Sequence, residues 1–152
     1  MKVGFGKHKD ESVETLVLKE PGYVAWALFE ASPSGPLSRV KAEAQRLIAI
    51  FDSKPFLRKC CGAGCTKPAS RCVVYVDNVK HPTWWCDDCD PYQRGASAGK
   101  LTAIRTYKDA LTLCDLVCPT GAARKTLVRT MAQEKGLPNR VGKKEAEEFF
   151  SS

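Results

Sequence analysis

No stretch of the sequence approaches the ~18 consecutive apolar residues of a membrane-spanning helix. The opening residues, Met1-Lys2-Val3-Gly4-Phe5-Gly6-Lys7-His8, contain no apolar signal core. We therefore expect a soluble, cytoplasmic protein with no membrane partner, and with it reduced thiols rather than a disulfide framework. Histidine is scarce, with two residues in 152, so a histidine-dependent catalytic centre has little to draw on. The H-x-E and P-C-x-x-C pair of a nucleobase deaminase is absent. Gly95-Ala96-Ser97-Ala98-Gly99-Lys100 is a flexible connector and not a phosphate-binding P-loop, because no second glycine-lysine-threonine pattern follows a strand. There is no internal repeat and no low-complexity tract.

Cysteine, by contrast, is plentiful, with eight residues. Five of them form two clusters. Arg58-Lys59-Cys60-Cys61-Gly62-Ala63-Gly64-Cys65 holds the first, and Thr83-Trp84-Trp85-Cys86-Asp87-Asp88-Cys89 holds the second as a clean C-x-x-C. Between them Cys72-Val73-Val74-Tyr75-Val76 reads as a strand. Asn78 to Pro82 reads as a turn, and Thr83-Trp84-Trp85 as the return strand. A hairpin with a thiol pair at each arm brings four sulfurs to one point, a set that suits zinc or iron. Zinc is the default for a compact four-sulfur ribbon, and a rubredoxin-like iron centre is the other reading. The expected ligands are Cys61, Cys65, Cys86 and Cys89, with Cys60 as the alternate to Cys61. Cys72 reads as a core residue. His81 is a spare donor that four thiolates make unnecessary. Cys114 and Cys118 fall at i, i+4 on an expected helix; they read as buried thiols, or as a second metal pair with Cys60 or Cys72.

Lys plus Arg is 24 and Asp plus Glu is 17, a net of +7. The excess grows along the chain: +1 over residues 1–57, +2 over 58–95 and +4 over 96–152. A basic balance favours an anionic partner, nucleic acid foremost. Arg124, Lys125 and Arg129 cluster near the start of one expected helix, where the helix dipole also favours an anion. Lys7 and Lys9 form a second basic spot at a turn, with His8 read as a surface residue between them.

The expected fold class is α+β in three parts. Residues 1–57 form a strand-plus-two-helix module. Its elements are a short strand from Val3, a helical turn Val13 to Val17 capped by Ser12, a helix opened by Pro21 through Phe29, and a second helix carrying Val40, Ala44, Leu47, Ile48 and Phe51. Trp26 reads as a core residue there. Residues 58–95 are the zinc-ribbon β-hairpin. Residues 96–152 are a basic helical segment with helices at Thr102–Cys118, Gly121–Lys135 and Lys143–Phe150. The stop at Gly136-Leu137-Pro138-Asn139 permits a helix-turn-helix.

Two motifs in the first part carry a resemblance. Phe5-Gly6-Lys7-His8-Lys9 resembles the F-G-K-(aromatic)-K opening, and Tyr23-x-x-Trp26-x-Leu28 resembles the Y-x-x-W-L helix, of the small accessory module at the C-terminal end of exonuclease X-type (DnaQ-like) bacterial exonucleases. Asp10 stands where that module has a glycine. The resemblance covers the first third of the chain and implies nucleic-acid or assembly contacts. It does not imply cleavage, because the nuclease partner and its carboxylates are missing. The resulting expectation is a non-enzymatic zinc protein, bacterial or phage, that binds DNA or RNA within a nucleoprotein assembly. A protein-binding adaptor, such as a small subunit of a phage, plasmid or CRISPR-type effector complex, is the alternative. An HNH-like zinc endonuclease is the second alternative, although Asp77 and His81 are not adjacent and no histidine follows Cys89.

Overall fold

The computed structural model describes residues 1–30, 32, 34–76, 78–92, 101–116 and 121–152. The protein is mixed α+β, with six α-helices and a three-stranded antiparallel sheet among the described residues. The expected short strand from Val3 was to run into a turn, and that turn is a 3₁₀ turn, Gly6–His8. Extended pairing there is limited to a single bridge between Lys2 and Ser12. Helix α1 (Val13–Lys19) starts at Ser12, whose hydroxyl accepts from the Thr15 N–H at 3.1 Å and so satisfies one of the helix's unpaired donors. Pro21 opens α2 (Pro21–Ala25), which runs into a π-helical turn, Trp26–Glu30. Helix α3 (Pro36–Ser53) also begins on a proline and buries Val40, Ala44, Leu47 and Phe51 along one stripe.

Strand β1 (Arg71–Tyr75) is central and buries its first four residues. Strand β2 (Asn78–Trp85) begins already at Asn78, so the expected turn to Pro82 is part of the strand. Pro82 is tolerated because β2 is an edge strand, where a missing N–H need not break a ladder. The other edge is β3 (Leu101–Ile104), of which Thr102 to Ile104 fall at the start of the helix expected over Thr102–Cys118. Cys72 stands opposite Trp84 on one side and Ile104 on the other, and all three are buried. Directly opposed residues share a face of the sheet, so this row is the sheet's contribution to the core. Helices α4 (Tyr107–Leu116), α5 (Gly121–Glu134) and α6 (Lys143–Ser151) complete the fold.

One cluster of buried residues draws on all three segments read in the sequence. Phe51 of α3 meets Tyr107 of α4 edge-on at 5.3 Å and Phe149 of α6 at 6.0 Å. The Tyr107 hydroxyl donates to the Val17 carbonyl at 2.7 Å, and its N–H to Asp52 at 2.8 Å. Trp84 enters the same core edge-on to Phe56 at 5.1 Å. A buried aromatic of this kind is worth about 3–5 kcal/mol against truncation to Ala, so the hairpin is held by the helices as well as by its own strands. Helix α6 places Ala146, Phe149 and Phe150 in the core, as its spacing predicts. It packs on α1 and α3, and eight residues separate it from α5. That connection is longer than the turn of a helix-turn-helix, which corrects that expectation.

Two side chains in the first segment also depart from expectation. His8 is buried, edge-on to Tyr23 at 4.9 Å and 3.1 Å from Glu11. Trp26, expected in the core, is 42% exposed. The inward positions beside it fall to Val24, Ala25 and Ala27.

Candidate metal centre

Cys60, Cys65, Cys86 and Cys89 bring their sulfurs within 4.8 Å of one another. Cys86 and Cys89 lie just past the end of β2. Cys60 and Cys65 lie on a loop that closes beside it. The Lys59–Pro68 bridge, with Cys60 N–H to Lys67 O at 3.0 Å and Ala69 N–H to Arg58 O at 2.8 Å, pins the two ends of that loop. The loop is then tied to the strand by Cys61 N–H to Trp84 O at 2.7 Å and Ser70 N–H to Trp85 O at 3.0 Å.

These tie points decide between the two neighbouring cysteines. Cys61 uses its backbone to join β2 and leaves its side chain exposed. Cys60 points the opposite way and is buried, its sulfur accepting the N–H groups of Gly62 at 3.3 Å and Cys86 at 3.2 Å. In place of the expected Cys61, its alternate Cys60 joins the sulfur cluster. Adjacent side chains in an extended segment project to opposite sides, so only one of the pair can face the other sulfurs.

The spacing of the sulfurs is compatible with ligands of one ion. Cys65 Sγ and Cys86 Sγ are 3.9 Å apart, far beyond the ~2.05 Å of a disulfide. A tetrahedral ion with bonds of about 2.3 Å to sulfur sets its ligands about 3.8 Å apart. Gly62 makes room for this packing. A Cβ there would stand 2.7 Å from Cys89 Sγ and 3.4 Å from Cys60 Sγ. Gly64 turns the loop at φ +70°, a conformation that glycine adopts without strain.

The electrostatics favour the thiolate at Cys86 alone among the shifted sulfurs. Burial pushes the Cys86 thiol up, but the backbone N–H groups of Asp88 and Cys89 outweigh it, bringing Cys86 down to about 7. Cys89 is pushed up to about 12, first by sharing hydrogen bonds with Cys86 and Cys65. The Cys86 thiolate thus favours the protonated form of Cys89 beside it, until a cation joins the two.

A second layer fixes the C-x-x-C turn. Arg71, buried at the start of β1, bonds Asp87 and reaches Asp90 at 3.4 Å. Ser70 donates to Asp87 at 2.8 Å, and Asp90 accepts the Tyr92 N–H at 2.8 Å. The serine hydroxyl and then the Arg71 guanidinium hold Asp87 below the usual carboxylate range. Lys67 pairs with Asp88 on the surface. Partners of this kind orient metal ligands. Sequence reasoning missed Arg71, whose only signal was a charged residue opening a strand otherwise apolar.

The remaining candidates are dispersed. Cys72 is fully buried behind β3, its thiol pushed up to about 12 by burial and facing the Ile104 carbonyl at 3.8 Å. His81 is exposed on β2, outside the sulfur cluster. The side chain of Cys114, together with Cys118 and Asp77, lies outside the described residues.

The basic triplet on α5 is divided. Arg124 is half-buried and donates to the Leu111 carbonyl of α4 at 3.3 Å. Lys125 and Arg129 instead line a cleft of about 320 Å³ with Leu18, Lys19, Glu20 and Asn139. There Lys125 stands 3.5 Å from Glu20, Arg129 donates to the Asn139 carbonyl at 3.0 Å and Lys19 to the Val141 carbonyl at 3.1 Å. Lys19 joins from α1, which no local sequence pattern signals. Lys7, within the 3₁₀ turn, and Lys9, just after it, are exposed and do not line this cleft.

Among the described residues, no helix is long and apolar enough to cross a membrane. No family model matches the chain, and no solved structure matches it. It is 26% identical over 124 residues to glycine dehydrogenase (decarboxylating) of Paraburkholderia phytofirmans. That similarity spans 80% of this chain but 13% of the much longer relative.

Proposed function

We propose that this chain is a zinc protein in which the metal holds the fold, and that it contacts nucleic acid as one member of a nucleoprotein assembly. The observation that carries the proposal is the convergence of four cysteine sulfurs from two separate chain segments. Four protein thiolates close a tetrahedral shell and leave no position for a reacting water, so the ion serves structure. The nearby carboxylates Asp87 and Asp90 are committed to Arg71, and Asp88 to Lys67. A closed four-sulfur site supports a non-enzymatic reading, because a hydrolytic centre would need an open metal or a poised base. Nucleic-acid contact is supported by the net charge of +7 and by the cleft where Lys19, Lys125 and Arg129 meet one carboxylate, Glu20.

The test has two arms. Anaerobically purified protein should carry about one zinc per chain, and finding no metal would sink the site. Binding to DNA or RNA should fall steeply with salt, with a log–log slope of about −0.9 per duplex phosphate neutralised. Lys125→Glu with Arg129→Glu should weaken binding to all sequences alike and flatten that slope. Unchanged affinity in a folded double variant would assign the contact to another surface or the partner to a protein.

A further inference from the structure

The helical segment after Pro21 divides its side chains in an unusual way. Val24, Ala25 and Ala27 turn inward, while Trp26 and Phe29 stand 42% and 44% exposed. The division falls where the helix passes into the π turn Trp26–Glu30. Such turns are rare and concentrate at functional sites. Tyr23, half-buried, stands 5.5 Å from the Trp26 ring in a tilted arrangement, and His8 backs Tyr23 edge-on. Three aromatic side chains at 23, 26 and 29 thus follow one another along the surface.

Lysines flank both ends of this stripe. At the His8 end Lys7 and Lys9 are exposed; Asp10 is exposed beside them, and Glu11 is paired with His8. At the Phe29 end the Lys108 ammonium lies 5.5 Å over the Phe29 ring. Lys41 and Lys108 border a groove of about 330 Å³ with Leu28, Phe29, Ile48 and Leu111, and among the described residues no carboxylate lines it. Exposed aromatic faces between cations are what a single strand needs: each base can stack on a ring while the phosphates on either side meet a lysine.

Resting on the nucleic-acid reading above, we propose that Tyr23, Trp26 and Phe29 form a stacking platform for single-stranded nucleic acid, with Lys7, Lys9, Lys41 and Lys108 tracking its backbone. Duplex, whose bases are already stacked on one another, gains nothing from these rings.

The experiment uses the full zinc-loaded chain with fluorescein-labelled thymidine and uridine oligomers, and a duplex of equal length. Trp26→Ala should lower single-strand affinity roughly five- to hundredfold, with zinc content and circular dichroism unchanged. Trp26→Phe should restore most of the loss, and duplex affinity should hold in both variants. Lys41→Glu with Lys108→Glu should weaken single-strand binding and reduce its salt dependence. Wild-type single-strand affinity in Trp26→Ala would overturn the platform, as would an equal loss on duplex. If Trp26→Ala is silent while Lys125→Glu with Arg129→Glu weakens binding, the platform falls and the nucleic-acid reading stands. If the wild-type chain binds no oligomer at all, both fall.

Discussion

Replacing Cys60 by Ser should cost the protein its metal, and replacing Cys61 by Ser should not. Cys60 is buried among the other three sulfurs and accepts two backbone N–H groups, whereas the Cys61 thiol faces solvent. Structural zinc sites bind with roughly 10–16 kcal/mol of apparent free energy at neutral pH. One of four ligands then carries about 3 kcal/mol, which is a zinc affinity lower by a factor of about a hundred. That free energy is also folding free energy where the site exists only in the folded chain, so the melting temperature should fall with it. The Cys61→Ser change leaves the backbone bond to Trp84 intact and should stay within about 0.5 kcal/mol of wild type. Zinc stoichiometry by mass spectrometry, competition with a chromogenic chelator and thermal melts read all three quantities. Metal loss in Cys61→Ser with retention in Cys60→Ser would refute the ligand assignment. Retention in both would show that the two thiols exchange roles.

Two further perturbations follow. Arg71→Met leaves Asp90 buried without its cation and should destabilise by about 3–5 kcal/mol, with zinc affinity reduced about 10–100-fold because the C-x-x-C turn loses its anchor; combining it with Asp90→Asn should recover part of the stability, and full additivity in chemical denaturation would contradict the pairing. Lys135 is buried with its ammonium 2.7 Å from the Phe51 carbonyl and 4.7 Å over the Phe51 and Phe56 rings; burial lowers it from 10.5 to about 8, with Asp52 opposing and Lys54 assisting. Between those values the unfolded chain holds a proton that the folded one has lost, so stability relative to Lys135→Met should climb as pH rises from about 8 toward 10.5 and stay level below 8, where both states hold the proton; parallel stability-versus-pH curves for the two proteins would refute it.

Local chemistry was legible in the sequence wherever it acts over a few residues. Ser12 and Pro21 marked helix starts, and Gly136 with Pro138 marked the stop after α5. The stripe Val40, Ala44, Leu47 and Phe51 marked the buried face of α3, and the paired cysteine clusters marked a four-sulfur site. Those features rest on capping, fixed φ, helical periodicity and turn spacing, which are properties of neighbouring residues. The core pairing of Phe51 with Tyr107, 56 positions away, has no such signature.

What only the tertiary structure decided is where competing local solutions were equal. Cys60 and Cys61 are indistinguishable by spacing, and the bond from the Cys61 N–H to Trp84 fixes which sulfur turns inward. Leu101–Ile104 suits a helix as well as a strand, and the free edge of β1 takes it as β3. Trp26 has the periodicity of a core residue, but Ala25 and Ala27 fill the inward positions and leave the larger ring outside. Lys125 and Arg129 acquire Lys19 only because α1 packs against α5. In each case neighbouring residues supplied the candidates, and long-range packing, which the order of residues along the chain does not encode locally, selected among them.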